Sequence, residues 1–306
     1  MRLAVSLVIL TALAIAPAFA SDYLLQVGTF VLIQSIAVIG LGFLTGFAGR
    51  ISLAQGALYG VGAYTAALLA TSAGWPPLAT LPAAILAAVA VGTLLGSPAI
   101  RLSGLYFVMS TIGLQQIVWI VLMHWSSLTD GPQGVRNIPA LSIPGLALDT
   151  PGRFWYAALT GAALFYFLAR RIVASRFGLF LRAVSDDELS SATAGIAVVR
   201  TKILALALSS AWAGAAGFLH AFYLRFVHPD MFTLELSVVQ LTMAMFGGYR
   251  SLDGMLLSTA LLGSASEYLR PFGEFRLVAY GGLLLLTMML APRGILAAFS
   301  DWRDRR

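Results

Sequence analysis

The sequence predicts an all-α integral membrane protein, a polytopic bundle of about 10 transmembrane helices (8–10) with short broken helices in its C-terminal half. Three observations carry that expectation. Of 306 residues, 59% are hydrophobic and only 10% are charged, whereas a soluble domain carries about a quarter charged residues. Apolar stretches recur along the whole chain at roughly the 20 residues that cross a hydrocarbon core. The basic residues then sort to one side of those stretches, as cytoplasmic loops require. So much of the chain is assigned to spans that residues 1–306 read as a single membrane domain.

In chain order the expected spans are 3–20, 24–44, 56–72, 78–97, 104–123 and 154–170, then 201–222, 233–247, 254–269 and 277–291. The first, with Arg2 ahead of it and Ala18-Phe19-Ala20 before Ser21, also fits a secretory signal. Either reading leaves Ser21 outside. Arg170, Arg171, Arg176, Arg182, Arg200 and Lys202 should share a side with the tail residues Arg293, Arg303, Arg305 and Arg306, so an even number of spans separates them. The run from Leu234 to Leu269 is therefore read as two short passes broken at GGYRSLDG, Gly247 to Gly254. Both termini then lie inside, with fourteen basic residues on that side; Arg136, Arg153, Arg225, Arg270 and Arg276 are the five outside. Gly42-x-x-x-Gly46, Gly56-x-x-x-Gly60 and Ser210-x-x-x-Gly214 have the spacing of closely packed helices.

Several function classes fall away. With no cysteine there is no disulfide, thiolate metal site or cysteine nucleophile. His124, His220 and His228 lack ligand spacing, so they are expected to make local hydrogen bonds, and neither a metal nor another cofactor is expected. A net charge of +6 and a pI near 9.9 would raise nucleic-acid binding in a soluble protein, but there is no basic stripe interleaved with aromatics. No nucleic-acid partner is expected. The sole lysine, Lys202, precedes Ile203 and follows no glycine-rich loop, so the chain has no P-loop. No serine elbow or paired-carboxylate set supports an enzyme. Ionisable residues are nearly absent from span centres, with Glu235 and Glu267 near outer ends, which argues against a proton relay.

Three polar groups remain. The outward loop 124–153 is rich in Gly and Pro and reads as turns without helix or strand periodicity, a linker or a docking surface. On the inner side, within 171–200, Ser185 with Glu188 fits a capping box, Asp186 and Asp187 favour a helix N-terminus, and Gly195 fits a stop. A helix of about ten residues is marginal in water, so it rests either on a docked protein or on membrane lipid headgroups through Arg176 and Arg182. The third group is polar residues in or beside spans: Gln34, Ser35, Gln55, Tyr59, Ser110, Thr111, Gln115, Gln116, Gln240 and Thr242. They either bond between helices or line a route for a polar solute; Gln34, Gln55, Tyr59, Ser110, Thr111, Gln115 and Gln116 are the candidates for such a path.

The run GLGFLTGFAGRISLAQGALYGVGAYTAALL from Gly40, RLSGLYFVMSTIGLQQI from Arg101, LTDGPQGVRNIP from Leu128 and FGLFLRAVSDDELSSATAGI from Phe177 resemble the branched-chain amino acid ABC transporter permeases of the LivM type. The resemblance covers nearly the whole chain. It implies an importer subunit of the bacterial inner membrane, not itself an enzyme, partnered by a homologous LivH-type permease, two cytoplasmic ABC ATPase subunits and a periplasmic solute-binding protein. It also implies that the inner segment is a cytoplasmic coupling helix for the ATPases, with Gly178, Arg182, Asp186, Glu188 and Gly195 at matching positions. The solute expected by resemblance is a branched-chain amino acid, with urea, amides or small aromatic acids as alternatives; an unaided channel is a further reading. The sequence departs from the family at Gln55, Asp130, Arg250 and Asp253.

Overall fold

The computed structural model describes residues 21–102, 104–143 and 146–268, with isolated positions at 17 and between 278 and 289. The expected span 3–20, most of 277–291, the basic tail, Arg270 and Arg276 lie outside the described residues. The eight other expected spans each coincide with a helix. These are α1 (Asp22–Gly42), α2 (Gln55–Thr71), α3 (Thr80–Gly96), α4 (Gly104–His124), α6 (Pro151–Val173), α9 (Val198–Leu224), α10 (Leu234–Gly247) and α11 (Leu252–Tyr268). Short helices α5 (Ser126–Thr129), α7 (Arg176–Asp186) and α8 (Glu188–Thr193) lie between them. Among the described residues, five helical stretches are long and apolar enough to cross a membrane by themselves: 22–47, 77–96, 104–124, 151–173 and 198–224.

The hydrophobic pattern explains the layering. α1, α2 and α9 are apolar on nearly every side and form the buried centre. α3, α4, α6 and α11 turn Leu86, Leu94, Leu105, Met109, Leu164, Leu257 and Leu261 outward. A soluble monomer rarely exposes such continuous apolar surface; in hydrocarbon it is the expected exterior. Tyr23, Trp75, Trp125 and Tyr156 are exposed at the end of the bundle that carries the 124–153 loop, the interfacial position that amphipathic rings favour.

Helices approach closely where side chains are small. A methyl at Gly62 would lie 2.5 Å from the Cα of Gly214, and one at Gly217 would run into the Tyr59 carbonyl, so α2 and α9 meet backbone to backbone. α1 passes into a π-helical turn, Phe43–Phe47, with Ala48 N–H donating to the Phe43 carbonyl. Phe43 then packs its ring 5.1 Å from Trp212.

The apolar run after Leu234 is broken where the sequence indicates. α10 stops at Gly247, Gly248 takes φ +98°, and α11 returns antiparallel, with Gly247 against Gly254 and the Ser258 hydroxyl donating to the Met243 carbonyl at 2.5 Å. Arg50, Arg250, Lys202 and the α7–α8 segment gather at one end, here the basic end. At the other, the loop end, Val135 pairs with Val227 and the His228 ring meets the Pro132 carbonyl.

The loop 124–153 is more ordered than its composition indicates. Besides α5 it holds a 3-10 turn, Gly131–Gln133, and an antiparallel pair, β1 (Ser142–Ile143) with β2 (Leu146–Ala147). Two-residue strands are too short to leave an alternating pattern, and the bridge to Val227 depends on a distant segment.

Candidate functional site

Two places hold the polar residues: the α7–α8 segment at the basic end and a buried belt between helices. α7 is amphipathic. Gly178, Leu181 and Val184 face inward, while Leu179 and Phe180 face out. Gly178 sits against the Val173 carbonyl, where any Cβ would collide. The Arg182 guanidinium lies 5.8 Å from the Phe47 ring centre, over the π-helical turn.

The cap differs from the expected one. Ser185 belongs to α7, and the backbone turns extended only at Asp187, φ −155° and ψ 115°. Asp187 caps α8, accepting from the Leu189 and Ser190 amides at 2.8 and 3.1 Å and from the Ser190 hydroxyl at 2.7 Å. A carboxylate outcompetes a hydroxyl at the positive end of a helix. The Ser190 hydroxyl first, then the two amides, hold the Asp187 carboxyl below its ordinary pKa. Ser185 instead accepts from Arg250 at 3.0 Å, and Arg250 also reaches Asp186 at 2.6 Å. So the helix of about ten residues expected between Ser185 and Gly195 shortens to the six residues of α8, the stretch before it forms α7, and the capping box does not form.

Glu188 is freed for another use. One carboxylate oxygen accepts from Arg50 at 2.8 Å and the other meets the Lys202 ammonium at 2.5 Å. Burial pulls the Glu188 carboxyl up, but the hydrogen bonds and charges of Lys202 and Arg50 outweigh it and leave it below its ordinary value. Gly195 ends the segment as expected: at φ +84°, its N–H donates to the Ala192 carbonyl, and that of Ile196 donates to Ser191. This is the paired closure that a left-handed glycine allows. Beside it lies an open apolar groove of about 540 Å³, lined by Ala192, Ile196, Val199, Arg200, Ile203 and Leu204.

In the belt, most of the candidate path residues are tied between helices. Gln55 donates to the Ala37 carbonyl at 2.8 Å and accepts from Ser209 at 2.9 Å, joining α1, α2 and α9. Gln115 accepts from the Ala57 amide and the Ser237 hydroxyl at 2.7 and 3.1 Å and donates to the Phe232 carbonyl at 2.6 Å. Gln34 accepts from Gln240 at 2.9 Å. Thr111 accepts from the Leu53 amide and donates to the Val108 carbonyl. Tyr59 is wholly buried, its ring 5.3 Å from His220 and 5.7 Å from Phe232. Only Ser110, half-buried, and Gln116, exposed, approach the outer face of α4.

The histidines divide. His124 lies 3.0 Å from the Ile120 carbonyl and His228 bonds to Pro132, as expected. His220 differs: it is buried among aromatic rings with no hydrogen-bond partner at either nitrogen among the described residues. Asp130, a departure from the resemblance, takes the left-handed φ of +57°, a conformation Asp tolerates better than most side chains. The sequence reading missed Arg50, Lys202 and Arg250 as partners of the inner segment. Two of them lie more than sixty residues from the carboxylate they hold. The signal available was charge: Arg50 is a lone cation in an otherwise uncharged stretch, while Lys202 follows Arg200 by two residues and Arg250 precedes Asp253 by three.

Residues 23–292 match the family described as "Branched-chain amino acid transport system / permease component". The chain is 32% identical to the high-affinity branched-chain amino acid transport system permease protein LivM of Escherichia coli K12, with 95% of this chain and 74% of the relative covered. It is 27% identical to the LivH permease protein of the same organism, covering 86% and 90%. It is 25% identical to the BraD permease protein of Pseudomonas aeruginosa, covering 86% and 91%. Among solved structures it is similar to a chain of PsaBC from Streptococcus pneumoniae in complex with Fab, at 14% identity and a TM-score of 0.49, covering 92% and 96%.

Proposed function

The chain belongs to the permease-component family of branched-chain amino acid transport systems, and from that premise we propose that it is the membrane-spanning subunit of an ATP-driven ABC importer for branched-chain amino acids. It is a multi-pass membrane protein, and in this reading its place is the bacterial inner membrane, with about ten spans and both termini in the cytoplasm. It works beside a homologous permease of the LivH type, with two ATPase subunits on the cytoplasmic side and a solute-binding protein on the periplasmic side.

The observation that carries this reading is the inner segment. Gly178, Arg182, Asp186, Glu188 and Gly195 each shape or anchor α7–α8, and the anchored pair presents Leu179, Phe180 and Leu189 outward. A short, held helix pair with an apolar outer face is a handle for a separate protein, and the chain has no nucleotide-binding loop of its own. ATP-driven closure of the ATPases pushes on this handle, and the two permeases rock about the path between them.

The buried belt supports a path that runs between subunits. Gln34, Gln55, Thr111 and Gln115 spend their polar groups on neighbouring helices, and Tyr59 is enclosed by rings. Ser110 and Gln116, with open space at Gly113 between them, lie toward the outer face of α4 that meets the partner permease. The decisive test is reconstitution with the companion subunits in vesicles. Leucine uptake that requires ATP and both ATPases is expected; equal uptake by this chain alone would overturn the proposal in favour of a channel.

A further inference from the structure

The inner segment is not held evenly. Its Asp186–Arg250 contact joins two side chains that are both more than a third exposed, where solvent and salt screen an ion pair. Glu188 is different. The Lys202 side chain against it is 3% exposed and the Arg50 side chain 11%, while the Glu188 side chain is 49% exposed. Arg50 also donates through its second guanidinium nitrogen to the Leu102 carbonyl at 2.7 Å. One carboxylate therefore gathers the end of α1, the approach to α4 and the first turns of α9.

Resting on the importer reading above, we propose that Glu188 with Arg50 and Lys202 is a rigid transmission joint, the three acting as positioning residues. Through it, displacement of α7–α8 is passed to α9 and to the end of α1, two central helices of the bundle. A six-residue helix has no stability of its own, so the place of α8 is set by what grips its first turn. Drawing Glu188 away would strand a buried ammonium, the costly way to break such a pair. Pushing α8 therefore carries α9 and the α1 corner along with it.

Lys202→Met is the discriminating variant, because it leaves Glu188 paired with Arg50 and strands no charge. Lys202→Arg is its conservative counterpart. The assembled transporter, with partner permease and both ATPases in lipid nanodiscs and vesicles, supplies two readouts. The first is leucine taken up per ATP hydrolysed. Lys202→Met is expected to hydrolyse ATP at close to the unaltered rate while this ratio falls about tenfold, the scale of a lost charged hydrogen bond, and Lys202→Arg is expected to restore it.

The second readout needs no solute. The chain has no cysteine, so spin labels at Leu189→Cys and Val199→Cys, positions 77% and 42% exposed, report the α8–α9 distance cleanly. That distance is expected to stay narrow and unchanged through the nucleotide cycle, and to broaden in Lys202→Met. A distance that changes with nucleotide in the unaltered joint, or a Lys202→Met form that stays narrow with its coupling ratio intact, overturns the proposal. A rigid distance in a complex that moves no leucine sinks the amino-acid reading and leaves the joint standing.

Discussion

At the scale of single residues, neighbouring positions in one motif have opposite fates. Gln115 and Gln116 are adjacent, yet successive residues on a helix point about 100° apart, so one is buried among three partners and the other is exposed. Gln115→Leu should destabilise the protein by about 2 kcal/mol, read by thermal unfolding in detergent, since it leaves a buried amide and carbonyl without partners. Gln116→Leu should leave the unfolding temperature unchanged and lower uptake. Gly178→Ala forces the α6–α7 corner apart at the Val173 carbonyl and should cost about 1–3 kcal/mol, with faster proteolysis between 171 and 200 as the check. Asp187 and Glu188 both hold their carboxyls below the ordinary range. Such groups stabilise the folded form above their unfolded pKa and lose that contribution as pH falls through the lowered folded value. Amide protection over 188–193, taken relative to the intrinsic exchange rate at each pH, should therefore be high at neutral pH and fall as pH drops below about 4. That polar residues occupy the spans was legible in the sequence; which of them were spent on neighbours was not, because each bond is completed by a helix far away in the chain.

At the scale of elements, the legible features were those whose cause is local. Gly195 as a stop needs only its own φ and the preceding turn, and the break at Gly247 to Gly254 follows from charge parity and glycine spacing. The cap was misread because Ser185 and Asp187 both satisfy the local rule. Arg250 settles the choice, reaching across sixty-odd residues to occupy Ser185. The strands at 142–147 were missed since two residues carry no period. The α10–α11 turn yields a topological prediction. Ser251→Cys in this cysteine-free chain should be labelled by a membrane-impermeant maleimide only after the inner face is opened; labelling of intact cells would reverse the sidedness of every loop.

At the scale of the whole molecule, the bundle is a core of α1, α2 and α9, around which α3, α4, α6 and α11 turn apolar sides outward. Gly217→Val should separate α2 from α9 and abolish assembly rather than tune it, seen as loss of a monodisperse peak on size exclusion, because the Tyr59 carbonyl leaves no room for a branched Cβ. The chain alone determined that it lives in a membrane, where most of its helices begin and end, and which loops share a side. Those properties are sums over local composition, and the bilayer reads them segment by segment. Only the tertiary structure decided that Glu188 belongs to Arg50 and Lys202, that most of the candidate polar path is interior bonding, and that Gln116 is exposed on α4. Each depends on which helices become neighbours, and that choice is made by backbone approach and side-chain fit across the fold, quantities no stretch of sequence contains.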